Sequence, residues 1–123
     1  LTYSGSLTNL GSSTVFLNGN TYDFSAENIT LDDSAFLANA PVSLAAGESS
    51  DLFSMFSLTL APNTMENTYS GAFTILGGNS ALAQSELVTQ NFAVSVVPSP
   101  SGMIISALGI LPLVLALRRR SFK

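Results

Sequence analysis

Tyr69-Ser70-Gly71-Ala72-Phe73-Thr74-Ile75 decides how this chain folds: Tyr69, Gly71, Phe73 and Ile75 fall on one side of a period of two, and Ser70, Ala72 and Thr74 on the other. Successive side chains of a β-strand point to opposite faces, so the pattern describes a strand with one face turned inward. The same period recurs where Phe56, Leu58 and Leu60 alternate with Ser57 and Thr59, and where Phe92, Val94 and Val96 alternate with Asn91, Ala93 and Ser95. Shorter strands are expected at Tyr3 to Leu10, Thr14 to Leu17, Tyr22 to Ser25, Ile29 to Leu31 and Val42 to Leu44. Turn signals separate them: Asn18-Gly19-Asn20, Ala46-Gly47-Glu48, Ala61-Pro62-Asn63 and Gly77-Gly78-Asn79. About seven short strands with polar turns read as an all-β antiparallel sandwich. Nothing before residue 102 keeps an amphipathic helical period for three turns, which leaves a parallel α/β architecture without support. Ala81 to Leu87 has room for one helical turn, or two at most.

Charge divides the chain into a body and a tail. Its only four basic residues, Arg118, Arg119, Arg120 and Lys123, lie in the last six positions, whereas the body holds all eight carboxylates. A body without a cation has nothing with which to displace phosphate counterions, so nucleic acid is not an expected partner. With no His and no Cys, a Ser-His-Asp triad, a Cys nucleophile and a zinc site of thiolates or imidazoles are excluded within this chain. Gly77-Gly78 lacks the lysine of a phosphate-binding loop. Carboxylate pairs are what remains for catalysis, and Asp32, Asp33, Asp51 and Glu48 are the candidates. All four stand in turn-like contexts where such residues are ordinarily solvated. Calcium takes carboxylate and carbonyl oxygens, and Asp23, Glu27, Asp32 and Asp33 fall within eleven residues, but not at the spacing of an Asp-x-Asp-x-Asp-Gly loop. The expectation is therefore no enzyme and no cofactor, with an acidic rim that keeps the body soluble.

Behind Val97-Pro98-Ser99-Pro100-Ser101 comes an uncharged apolar run, Gly102 to Leu117, and then the basic cluster. Met103 to Leu117 is apolar on all sides, unlike a core helix with a polar stripe, and a lipid-embedded helix over residues 102–117 is expected. At about 1.5 Å per residue such a helix reaches roughly 24 Å, short of a hydrocarbon core of about 30 Å. Thinning of the bilayer or snorkelling of Arg118, Arg119 and Arg120 would make up the difference. Pro112 is tolerated in membrane helices. Lys and Arg beside a span stay cytoplasmic, which places the acidic body across the membrane.

The three-part order, a proline motif at Pro98, Ser99 and Pro100, an apolar helix, and Arg118-Arg119-Arg120 near the end, resembles a PEP-CTERM sorting signal. This copy departs from the pattern at Ser99, where the family has Glu. The resemblance covers about the last quarter of the chain. It implies an exported protein of a Gram-negative bacterium, processed by an exosortase-type membrane protease and associated with extracellular polysaccharide. It also implies a leader removed from the N-terminal side. In its order of Leu-Thr-Leu strand, Ala-Pro-x-Thr turn and Tyr-x-Gly-x-Phe-Thr-Ile strand, Asp51 to Ile75 resembles the immunoglobulin-like bodies often joined to such tails. That likeness puts Tyr69 where a corner tyrosine bonds back to the preceding loop; simple packing of Tyr69 in the sheet is the other reading. The expected organisation is an immunoglobulin-like β-sandwich over 1–97 and a sorting signal over 98–123, with a motif, a single transmembrane helix at 102–117 and a basic tail at 118–123. A surface or matrix protein, a loop-based carbohydrate- or calcium-binding module, and a permanently tail-anchored envelope protein are the three functional classes this organisation admits.

Overall fold

The alternating stretches become strands in the computed structural model, which describes the backbone of residues 1–99, 102–106 and 110–112 and the side chains of residues 1–97. In chain order the elements are β1 (Thr2–Ser6), β2 (Val15–Asp23), β3 (Ile29–Asp32), α1 (Ser34–Asn39), β4 (Ser43–Leu44), β5 (Phe53–Leu60), β6 (Asn67–Gly78), β7 (Ser85–Ser99), β8 (Gly102–Ser106) and β9 (Ile110–Pro112). One sheet has the order β3-β5-β1-β9 and the other β4-β2-β6-β7-β8. Every pairing is antiparallel except that of β9 on β1. The chain is thus all-β, with one short helix in the body.

Burial follows the period of two. Phe73 and Ile75 of β6, and Phe92, Val94 and Val96 of β7, are buried, while Ser70, Asn91 and Ala93 face water. Inward residues of both sheets meet in one core. Tyr3 on β1 stacks on Phe56 of β5 at 4.7 Å between ring centroids, and Phe56 crosses to the second sheet to stack on Phe73 at 4.8 Å and tilt against Phe92 at 4.8 Å. Fully burying such a ring stabilises by about 1.5–3 kcal/mol, and each favourable ring pair adds about 0.5–1.5 kcal/mol. Met55 interrupts the alternation of β5: Tyr3 pairs with Phe56 but Ser4 with Ser54, so Met55 is the extra residue of a bulge and is buried beside Phe56.

Three expected features differ in the structure. Gly77 and Gly78, expected in a turn, are the last two residues of β6 and pair with Leu17 and Phe16 of β2. Asn18-Gly19-Asn20 is no turn: it lies inside β2, which runs continuously along β6 and joins the stretches expected as separate strands. Leu17 pairs with Gly77 and Gly19 with Leu76, so Asn18 is the unpaired residue of a bulge. Its amide nitrogen donates to the carbonyls of Ser80 and Ala83 and anchors the β6–β7 loop. A twelve-residue partner strand outweighs a local turn preference because each residue kept in register retains its ladder bonds. Ala81 to Leu87 holds no helical turn of the α type; the loop ends there and β7 begins at Ser85. A helix appears instead at Ser34–Asn39, too short to show a sustained period, and buries Phe36 against Phe53 and Phe73. The turns at Ala46-Gly47-Glu48 and Ala61-Pro62-Asn63 form where expected, and Gly47 takes a φ of 77° there.

The expected apolar helix over 102–117 falls in part on residues 107–109 and 113–117, which lie outside the described residues. Within it, the backbone of Gly102–Ser106 pairs with β7 and that of Ile110–Pro112 with β1.

Loops at the end of the body opposite the C-terminal end of β7 are held by one buried amide. Asn9, with no exposed surface, donates from Nδ2 to the carbonyls of Ser13 and Leu44 and accepts the Gly11 N–H on Oδ1. Its backbone N–H and carbonyl pair with Glu48 and Gly47, joining the β1–β2 loop to the β4–β5 loop. Asn9→Ala strands these groups and should lower stability by about 1–3 kcal/mol, read as a shift of the urea midpoint. Gly77→Ala should lower it by about 1–3 kcal/mol through overpacking, because a Cβ at Gly77 would stand 1.8 Å from the Phe16 carbonyl oxygen. Gly19→Ala, whose Cβ would meet nothing closer than 3.6 Å, is the control expected to leave the midpoint nearly unchanged.

Candidate functional site

The residues expected to form a sorting motif begin directly behind a buried part of β7. Val94 and Val96 of that strand are buried, Val97 is half-buried, and the backbone of Pro98 and Ser99 completes the strand. No long spacer separates Pro98 from the core: a single residue, Val97, lies between Val96 and Pro98, two steps of extended chain or about 7 Å. The backbone of Pro98 is opposite Met103 and that of Ser99 opposite Gly102. Pro100 and the basic Arg118, Arg119 and Arg120 lie outside the described residues. Among the described residues, no helix is long and apolar enough to cross a membrane.

Antiparallel pairing fixes what shares this end of the body. Val96 lies opposite Asn67, so the start of β6 and the β5–β6 loop stand beside the exit of the tail. Tyr69, two residues into β6, packs half-buried against the core, and its hydroxyl donates to the Met65 carbonyl at 2.7 Å. Both sequence-based readings of Tyr69 therefore hold together: the ring packs in the sheet and the hydroxyl pins the loop before it. Thr64, 2% exposed, closes the same loop by donating to the Ala61 and Asn28 carbonyls. Asn28 has a φ of 70° and its carbonyl also accepts the Ala61 N–H, tying the β2–β3 turn to this corner.

A second tyrosine, not singled out from the sequence, joins the two sheets near the same strand. Tyr3 is 1% exposed, and its hydroxyl donates to the Ala93 carbonyl on β7 at 2.9 Å. Burial raises the Tyr3 hydroxyl above its ordinary pKa. A tyrosine among alternating residues of a first strand carries no local signal of a bond across ninety positions; only the Tyr3 and Ala93 alignment reveals it.

The carboxylates serve turns. Asp32 accepts the Ser34 N–H on Oδ1, and this backbone bond, with help from the Ser34 hydroxyl, holds its carboxyl below the ordinary value. Asp33 accepts from the Asn20 amide at 2.7 Å. Glu48 accepts the Ala45 N–H at 2.7 Å and so closes its own turn, and Asp51 stands exposed before β5. Asp23, Glu27, Asp32 and Asp33 are not brought together: among the described residues, no three acidic side chains converge to hold a metal ion. Asp32 ends β3 opposite Ser57 and Asp33 precedes α1, while Glu48 and Asp51 belong to the β4–β5 loop ahead of β5, so the four candidates for hydrolysis divide into two places.

In comparisons with protein-family models, curated proteins and solved structures, nothing matches this chain.

Two single-atom deletions test the hydroxyl bonds. Tyr69→Phe should cost about 0.5–1.5 kcal/mol and raise proteolytic nicking in residues 61–66, followed by mass spectrometry of the fragments. For Tyr3 the folded protein holds its proton more tightly than the unfolded chain. The associated stability is complete below the ordinary tyrosine value of about 10 and falls as pH rises above it. Tyr3→Phe should flatten that alkaline decline in urea midpoints measured against pH.

Proposed function

We propose that this chain is a non-enzymatic exported protein of a Gram-negative surface or extracellular matrix, sorted through its tail. The observation that carries the reading is the order of the tail directly behind β7: Pro98-Ser99-Pro100, the uncharged run Gly102 to Leu117, then Arg118, Arg119 and Arg120. In this reading residues 102–117 span the inner membrane as a helix, and the arginines remain cytoplasmic and stop transfer. The acidic body lies outside, and an exosortase-type membrane protease acts near Pro98, Ser99 and Pro100. An uncharged span of about 24 Å suits a temporary anchor better than a permanent one.

The body is taken as an immunoglobulin-like sandwich. Support comes from the strand order, with β3-β5-β1 facing β4-β2-β6-β7, from the consecutive hairpin β6–β7, and from a tyrosine near the start of β6 that bonds to the loop before it. Its role would be structural. Outward Thr68, Ser70 and Thr89 offer hydroxyls to water or extracellular polysaccharide, and copies carrying only carboxylates repel one another and stay dispersed.

The test is intact mass spectrometry of the protein from the native envelope and medium, with and without the processing protease. The expected outcome is a secreted form ending near Pro98 to Ser101, without any of the four basic residues, that disappears when the protease is deleted. A C-terminus carrying Arg118 to Lys123 in both strains would make the chain a permanently tail-anchored envelope protein and end the sorting reading.

A further inference from the structure

The two sheets have unequal edges. On one side each ends in a short strand, the four-residue β3 and the two-residue β4. Such short edges offer little backbone to a foreign strand. On the other side the outermost body strands are β1 and β7, the second of which is fifteen residues long. Tyr3 bonds the two across the seam through the Ala93 carbonyl. Tail backbone occupies this seam: Gly102–Ser106 lies antiparallel on Ser95–Ser99 of β7, and Ile110–Pro112 lies parallel on Ser4–Ser6 of β1.

The geometry points to a tail with two partners: the seam formed by β7 and β1 binds residues 102–106 and 110–112 of the same chain as edge strands outside the membrane, and releases them to form the membrane helix. This inference rests on the proposed membrane helix for its second state and on the edge pairing for its first. Backbone N–H and C=O groups must be satisfied in either surrounding. In lipid a helix does this within the segment itself. In water an isolated apolar segment has no such enclosure, whereas the open edges of β7 and β1 offer unpaired groups of their own. Met103-Ile104-Ile105 carries residues that suit a strand, and two residues separate Ser99 from Gly102, the length of a short hairpin connection. One segment thereby covers the aggregation-prone edges of the exported body and satisfies the backbone groups of its own apolar run until the bilayer accepts it.

The absence of cysteine permits a direct test on the full chain. Val97 lies opposite Ile104, and Ser4 opposite Ile110. Facing Cβ atoms in paired strands are about 4.5–5.5 Å apart, within the small adjustment a disulfide needs. Val97→Cys/Ile104→Cys and, independently, Ser4→Cys/Ile110→Cys are oxidised with oxidised glutathione in lipid-free buffer and in phosphatidylethanolamine/phosphatidylglycerol vesicles. A Val97→Cys/Pro112→Cys chain, whose second position pairs instead with Ser6 of β1, serves as the comparison. The inference expects intramolecular disulfide as the main product of both register pairs in lipid-free buffer, its loss in vesicles, and little from the comparison pair. Equal yields from register and comparison pairs, or only disulfide-linked dimers, would overturn the seam. Disulfide that persists in vesicles would overturn the release. Protection of residues 102–117 from protease in vesicles reads the membrane helix separately, so failure of the sorting reading is distinguishable from failure of the seam.

Discussion

The stack of Tyr3, Phe56, Phe73 and Phe92 is the contact on which the rest of the molecule depends. Phe56 alone touches three of these rings, one from its own sheet and two from the other. Without cysteine the body has no covalent tie between its sheets, so apolar burial and ring contacts must hold them face to face. The bulge at Met55 lets two consecutive residues of β5 point inward at the point where the stack is densest. Phe36, carried by the six-residue α1, closes the core against Phe73 and Phe53.

Polar side chains then finish what the stack begins. Asn9, Thr64 and Asn18 each use a side-chain group to satisfy carbonyls in loops that cannot satisfy themselves. Among the described residues, no buried side-chain nitrogen or oxygen lacks a partner. The acidic residues contribute to this local order as well, at Asp32, Asp33 and Glu48.

The placement of the tail links fold to proposed function. β7 is both a central contributor to the core, through Phe92, Val94 and Val96, and the strand that runs into Pro98. The Tyr69 corner and the Thr64 loop brace the strands around that exit. A body so braced suits a protein that remains folded while its C-terminal segment changes surroundings.

Strand identity was legible in the sequence wherever one face is buried, because a period of two is imposed by the pleat itself: β5, β6 and β7 sit where Phe56, Phe73 and Phe92 and their alternating neighbours put them. The division of charge between body and tail was equally legible, since it is covalent order. Asn18-Gly19 misled, because a turn preference of two residues is weaker than a ladder of bonds to β6 that only the paired strand reveals. The six residues of α1 are too few to express a period, and the Tyr3–Ala93 bond joins positions that nothing local connects. Sequence by itself determined β5, β6 and β7, their inward faces and the separation of charge between body and tail; tertiary structure decided α1, the continuity of β2, strand order, the dispersal of the carboxylates and the seam between β1 and β7. The reason is that alternation and charge are properties of neighbours along the chain, whereas pairing, bulges and edges exist only once distant strands have met.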